Sequence, residues 1–396
     1  MRALSGGERE RERALENLGR ALGQAGRTAV GGAPALAGAV RRGALAAGGE
    51  VLTLSLESPV QWAGAAAMLG LPAAVFVEKR EGRTCLHVFG PDGLPPAGDW
   101  AEGLERALAG EVPLPAEPPG PGRAVEGGPS PGDWAAWTAD LARLRRPALR
   151  RVTAAVGRGT PEDRAVRAAL TALGCALEEK WRPGIPAFRG ERGGFALSAR
   201  DERGAEVDPG QLLAVLVLIE MENGAGRAAV SAGASAAAEL VAAGYGGTVL
   251  RLGRDGTEAR TLYAAQPWMG QAPAAAVRLC SRMGVAGQRL ERLVAKTPRF
   301  SACRREVSLA AGGERVLSAL AEEPGSRREG AGLRLRTGEG WVYLSPSPSR
   351  PVLRVLAEGP DLELAAELCD RFARLAARAD GALSGHCVQD KDNETG

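Results

Sequence analysis

Hydrophobic and polar positions along this chain of 396 residues switch repeatedly between a helical period and short apolar runs. Leu15, Leu18 and Leu22 recur at helical spacing behind the charge run "ERERER" at 8–13, which predicts an N-terminal helix with a solvated face. From Arg27 the pattern changes. "RTAVGG" predicts a strand, "APALAGAVRRGALAAGG" a helix and "EVLTLSL" a second strand. "SPVQWAGAAAMLG" predicts a helix with Ser58 as N-cap and Pro59 at its first position. "PAAVFVEKR" and "TCLHVFG" read as further strands, followed by a turn at 91–93. Strands alternating with helices imply a mainly parallel sheet covered on both faces.

The stretch 112–134 is rich in Pro and Gly and has no apolar periodicity, so residues 112–132 read as a linker. A second β-α-β unit follows, with "LRRVTAAVGRG" and "CALEEKW" as strands around a helix capped by Thr160 and Pro161. "GFALSARDERGAEV" predicts two short strands around a turn, and Asp208-Pro209 caps an apolar helix over 210–222. A third unit takes "RAAVSAG", "ASAAAELVAAG" and "GTVLRLG" as strand, helix and strand, and 272–296 reads as helical. Residues 300–379 read strand, helix, strand, loop, strand, helix, and Leu364, Leu368, Phe372 and Leu375 share one face of the final helix. The expected organisation is a helical extension (1–25), a first α/β domain (26–111), the linker, a shortened second domain (133–205), a third (206–299), a smaller α+β domain (300–380) and a disordered tail (381–396).

Composition narrows the function classes. The net charge is only +3, with Arg and Glu interspersed, whereas nucleic-acid binders concentrate basic charge on one face. The apolar run from Leu212 is too short to span a bilayer, so a soluble protein without a nucleic-acid or membrane partner is expected. Six scattered cysteines and two histidines, His87 and His386, offer no clustered metal ligands. With no signal peptide in view, reduced core thiols in the cytoplasm are expected.

The serial plan of three α/β units and a smaller α+β unit, together with four local strings, resembles the phosphohexomutases, the phosphoglucomutase/phosphomannomutase family, from about Arg27 to Arg378. "VFGPDGLP" at 88–95 resembles the segment after the family's serine loop. "RGAEVDPGQLLAVLVL" resembles the entry to its third domain, and "PWMGQAPAAAVRLCSRM" a helix of that domain. "GWVYLSPSPSRPVLRVLAEG" resembles the last-domain phosphate loop R-P-S-G-T-E-P between its two strands. The resemblance implies intramolecular phosphoryl transfer on hexose phosphates, between the 1- and 6-positions of glucose or mannose. It implies a phosphoserine from T-A-S-H-N-P, magnesium held by D-G-D-x-D-R, and a sugar loop G-E-x-S-G.

Laid on those motifs, the chain departs at every loop. The serine loop falls on "FVEKREGRT" near 76–84, where the nucleophile position is about Val77 and Glu78 and Glu81 would repel phosphate. Ser55 and Ser58 lie nearby, and Ser58 is already a helix cap. The metal loop falls on "ERGGFA", 191–196, whose one acid, Glu191, stands beside Arg192. Asp201 and Glu202 read as solvated turn residues. The sugar loop is replaced by "TEARTLYAAQ", read as a shortened loop with an exposed Glu258. The phosphate loop keeps its outline, with Ser345, Ser347 and Ser349 on the Arg, Ser and Thr positions, Pro348 on a Gly and Arg350 on the Glu. Arg354 is expected to pair with Glu358. Weak anion binding by Ser345, Ser347, Ser349 and Arg350 and a plain Pro-stiffened turn both remain open. No magnesium and no catalytic residue are expected. The expected protein is an impaired or inactive phosphohexomutase, a pseudoenzyme that binds a hexose phosphate or nucleotide sugar or serves a protein partner in polysaccharide metabolism. The alternatives are an active mutase with an atypical serine loop and a purely structural protein.

Overall fold

The computed structural model describes residues 2–4, 6–80, 82–111, 120–144, 151–253, 255–338, 340–347 and 350–392. The chain divides into two compact units, Met1–Glu206 with Gly270–Gln288, and Val207–Met269 with Arg289–Gly396.

The first unit holds two sheets. The larger has the spatial order Arg2–Leu4, Arg83–Phe89, Ala73–Arg80, Arg27–Gly32, Glu50–Thr53, Arg123–Glu126. Its last four strands run parallel, and the Arg83–Phe89 hairpin partner turns antiparallel. Within the Pro/Gly-rich stretch, therefore, 123–126 adds an edge strand, while 112–119 lie outside the described residues. The predicted N-terminal helix is Glu8–Gln24, and its Leu15, Leu18 and Leu22 are buried with Val30, Val40, Val51 and Val75 on one face of the sheet. It lies very close to helix Pro34–Ala46. A Cβ on Gly43 would come 1.9 Å from the Glu16 carbonyl oxygen, and one on Gly19 would come 2.1 Å from that of Val40. The opposite face buries Trp62 of helix Pro59–Leu69 and Trp134 of helix Pro131–Ala142 beside Phe76 and Phe89.

The second sheet of this unit runs Glu206–Val207, Ala196–Arg200, Ala187–Glu191, Thr153–Val156, Ala176–Glu178. Helix Pro161–Leu173 begins at Thr160, whose hydroxyl accepts from Asp163 N at 3.1 Å. Helix Ala272–Ala286 returns from much later in the chain to pack on it. Ser281 Oγ accepts from Leu144 N at 2.8 Å, and Arg278 donates to the Ala142 carbonyl at 3.1 Å.

In the second unit, Arg227–Val230 and Thr248–Arg251 form a parallel sheet of two strands. Helix Pro209–Glu222 is capped by Asp208, which accepts from Gly210 N and Gln211 N, and is apolar nearly all round because most of its length is buried. The other sheet is antiparallel, in the order Ser301–Ser308, Val352–Gly359, Gly340–Pro346, Gly332–Thr337, Ser326–Glu329. Three strands thus lie between helix Gly313–Leu320 and the Ser/Pro loop, where the apolar pattern predicts one. Helices Gly313–Leu320 and Leu362–Asp392 cover one face and bury Val316, Leu333, Val342, Val355 and Phe372. The last helix runs past the expected boundary at 380. Asp380 holds it there by accepting from the backbone N–H groups of Ala310 and Ala311 at 2.7–3.0 Å. Among the described residues no helix is long and apolar enough to cross a membrane.

Candidate functional site

Ala73–Arg80 and Arg83–Phe89 form a hairpin whose register closes with Arg80 opposite Arg83. Of the two residues between them in sequence, Gly82 is described and Glu81 lies outside the described residues. Val77 is fully buried in the strand. Glu78 Oε1 lies 3.0 Å from Nε2 of His87, which is buried between Phe76 and Phe89. Burial pushes the His87 pKa down, although the Glu78 hydrogen bond and charge oppose that shift. Ser58 is the buried cap expected of it, and its N–H and hydroxyl both donate to Gln61 Oε1 at 3.1 Å.

Residues 191–196 form a tight turn between strands Ala187–Glu191 and Ala196–Arg200. Arg192 takes φ 52°, a left-handed conformation uncommon outside glycine. Gly193 and Gly194 follow at φ 72° and 90°. A Cβ on Gly194 would fall 2.3 Å from Val60 Cγ1, so the turn is seated on the start of helix Pro59–Leu69. Phe195 packs with its ring centroid 5.7 Å from Phe89. Glu191 accepts from Ser198 Oγ at 2.6 Å and from Arg189, and these bonds hold its carboxyl below the usual range, the Ser198 bond most of all. Glu202, expected in solvent, is buried at 3% exposure. Asp201 instead organises the turn, accepting from Arg203 N and Ala205 N at 2.9 Å.

The segment after Thr248–Arg251 is a helix, Gly256–Ala265, where the sequence suggested a shortened loop. Glu258 sits in its first turn and pairs with Arg227 at 2.7 Å. Gln266 then supplies what the short sheet lacks at its edge. Its Oε1 accepts from Ala229 N at 2.9 Å, and its Nε2 donates to the Arg227 carbonyl at 3.2 Å.

The Ser/Pro loop joins Gly340–Pro346 to Val352–Gly359, with Ser345 opposite Arg354 and Ser347 N donating to the Val352 carbonyl at 2.9 Å. Arg350 donates to Glu306 Oε1 at 2.7 Å, and Arg354 Nε lies 3.6 Å from the same oxygen. Arg354 also reaches Ser347 Oγ at 3.5 Å. Ser345, Ser347, Arg350 and Arg354 are thus brought together, while Pro348 and Ser349 lie outside the described residues. The expected Arg354–Glu358 pair does not form. Arg354 lies opposite Glu306 in the antiparallel register, and Glu358 is turned inward. Glu306 is the residue that sequence reasoning missed here, because its position beside the loop depends on the pairing of two strands far apart in sequence.

No family model matches the chain, and no curated protein matches its sequence. Solved structures do. A phosphoglucomutase/phosphomannomutase family protein from Burkholderia thailandensis is similar with TM-score 0.67 and 18% identity, over 93% of this chain and 94% of that one. A Thermus thermophilus protein assigned as a phosphomannomutase is similar with TM-score 0.65 and 14% identity, over 92% and 94%. The fold is that of the phosphohexomutases. An N-acetylphosphoglucosamine mutase from Aspergillus fumigatus, solved with glucose 1,6-bisphosphate, shares it with TM-score 0.55 and 11% identity, over 82% of this chain and 92% of that one.

The phosphohexomutase motifs imply magnesium at 191–196, and the residues there do not fit it. Magnesium takes several hard oxygen ligands in octahedral order. The turn offers one carboxylate, already bonded to Ser198 and Arg189, with Phe195 packed into the core beside it. Among the described residues no group of three or more acidic, His or Cys side chains could hold a metal ion.

A second polar cluster was not legible in the sequence of this phosphohexomutase-fold chain. Arg251 is fully buried, binds both carboxylate oxygens of Glu239 at 2.9 Å, and donates to the carbonyls of Ala232 and Ala234 at 3.0 Å. Arg334 donates to the Ala234 carbonyl at 3.3 Å and stacks 4.0 Å over the Trp341 ring. Its pKa is lowered to about 10, first by burial and then by Arg251. Glu358 accepts from Ser235 Oγ at 2.9 Å and Ala236 N at 3.2 Å, and burial raises its pKa. These groups fix the loop 231–236 from two sides. Each is spent on a neighbour within the protein.

Proposed function

We propose that the chain is a cytoplasmic phosphohexomutase-fold protein, three α/β modules and a C-terminal α+β module, that binds a hexose phosphate or nucleotide sugar without moving its phosphoryl group. It would act beside a protein partner of polysaccharide metabolism. The observation that carries this reading is the hairpin at 73–89. Val77 is paired within the strand with no hydroxyl, and Thr84, the hydroxyl residue nearby in the partner strand, is buried, so the described hairpin offers no exposed acceptor hydroxyl for a sugar phosphate. The single bonded carboxylate at 191–196 supports it from the side of charge neutralisation.

Binding is assigned to the Ser345–Arg350 loop, with hydroxyls from Ser345, Ser347 and Ser349 and the Arg350 guanidinium. Glu306 makes it weak, since an incoming phosphate competes with a carboxylate already held by Arg350 and near Arg354. Calorimetry with glucose 1-phosphate, glucose 6-phosphate and a nucleotide sugar tests the assignment. Glu306→Gln should tighten binding about two- to fivefold, the scale of one exposed ion pair, and Arg350→Ala should abolish it. Heat of binding that neither substitution changes, or none for the parent and Glu306→Gln alike, sinks the assignment.

A further inference from the structure

The antiparallel sheet of the second unit ends in a long edge strand, Ser301–Ser308, which pairs with Val352–Gly359 on one side only. The direction of its backbone groups follows from the register. Opposite residues of an antiparallel pair alternate between exchanging hydrogen bonds and not doing so. Leu309 N donates to the Pro351 carbonyl at 2.8 Å, one step beyond the Ser308–Val352 pair. Cys303, Arg305 and Val307 share the phase of Leu309 and bond inward to Val352–Gly359. Ala302, Arg304, Glu306 and Ser308 therefore turn their N–H and C=O groups outward, along the edge. Arg304, Arg305, Glu306 and Ser308 are exposed. The Arg304 carbonyl accepts from Arg305 Nη1 at 3.2 Å and keeps a second lone pair. The Arg304 guanidinium has no ion pair or hydrogen bond among the described residues.

An exposed edge is a template for another strand, and native proteins blunt such edges with charge. The opposite edge of this sheet, Ser326–Glu329, is half as long and exposes only the like charges of Arg327 and Arg328. Ser301–Ser308 carries both signs instead, and their spacing makes it complementary to itself.

We propose that Ser301–Ser308 pairs with the same strand of a second copy of the chain, antiparallel about a twofold axis at Arg305, so that two five-stranded sheets become one. Charge decides the register. Outward groups must meet outward groups, so Arg304 can face Ala302, Arg304, Glu306 or Ser308 of the other copy. Facing Glu306, it gains a carboxylate, and the axis repeats the contact from the other side. Facing Arg304, it meets its own charge. Glu306 meets Arg350 and Arg354 through Oε1, which leaves Oε2 for the incoming guanidinium. Arg305 faces its own copy across the axis, but Asp370 neutralises each one, accepting from Nε at 3.0 Å. The pairing sets Arg304 of the second copy on the carboxylate that holds Arg350, beside the Ser/Pro loop.

Sedimentation velocity of the full chain over a concentration series tests the proposal. The parent should move from the mass of one chain toward that of two as concentration rises, and high salt should weaken the shift. Arg304→Glu and Glu306→Arg each place like charges opposite one another on both sides of the axis, so each alone should weaken association about tenfold or more. Mixed together, the two variants are complementary again and should sediment as a heterodimer. Ala302→Pro removes only an outward N–H, so it should weaken association while the melting midpoint of the dilute chain stays at the parent value. Melts of the two charge variants check that they are folded. A parent that remains one chain at every concentration, association that neither charge reversal weakens, or folded charge variants that fail to recombine on mixing would each overturn the proposal.

Discussion

Arg251 is a guanidinium with no exposed surface, and its place in the interior rests on its hydrogen bonds: Glu239 accepts from Nε and one terminal nitrogen, and the Ala232 and Ala234 carbonyls accept from the other. A lysine carries the same charge but cannot make the two-pronged contact and reach the carbonyls together. Arg251→Lys should therefore destabilise the second unit by roughly 2–4 kcal/mol, read from the urea midpoint. Glu239→Gln should cost less, because the amide oxygen keeps one acceptor. His87 gives a pH-dependent counterpart. Burial sets its folded pKa below the unfolded value, so the unfolded chain takes up the proton first as the pH falls. Stability from this group is present above about pH 6.5 and is lost below it. Urea melts at pH 7.5 and 5.5 should show a smaller drop in His87→Gln than in the parent; equal drops would remove His87 as the cause. Neither environment was visible in sequence. Arg251 sits in an ordinary strand pattern, and His87 reads as one polar position in "TCLHVFG".

Elements with strong end signals were the legible ones. Ser58-Pro59, Thr160-Pro161 and Asp208-Pro209 each mark the start of a helix that the structure contains. The segment 256–265 was misread because "TEARTLYAA" has weak apolar periodicity, and the helix is held instead by packing on Arg227–Val230. Strands 326–337 were lost for a related reason. They are short and rich in Arg, and their Arg327, Arg328 and Arg336 are exposed while Glu329 and Arg334 turn inward, so polar residues fall on both faces of the hairpin and the apolar alternation is blurred. Gln266 is the device that lets a sheet of two strands stand. Gln266→Leu strips the buried Ala229 N–H of its acceptor and should cost about 1–3 kcal/mol. Gly194→Val adds a β-branched side chain at φ 90° against Val60 and should destabilise the first unit more than the same change at exposed Gly159. Comparison of the two melting midpoints checks it.

At the scale of the whole molecule, the order of the modules was the informative feature, and it survives at 14–18% identity to solved mutases. The segments on which the family's loop motifs fall carry other residues. What the structure shows there is internal bonding: strands Ala73–Arg80 and Arg83–Phe89 paired antiparallel, a carboxylate tied by Ser198 and Arg189, and two arginines gathered by Glu306. That "FVEKREGRT" holds no serine and "ERGGFA" one acid could be read directly from the sequence. The partners that occupy the remaining charges could not, because they come from strand register and from chain segments far apart in sequence. The most direct measurement of the central claim is the intact mass of the full chain after incubation with glucose 1,6-bisphosphate and magnesium. The expected result is an unchanged mass, with no conversion of glucose 1-phosphate to glucose 6-phosphate in the same tube. A gain of one phosphoryl group on a serine, accompanied by that conversion, would contradict it.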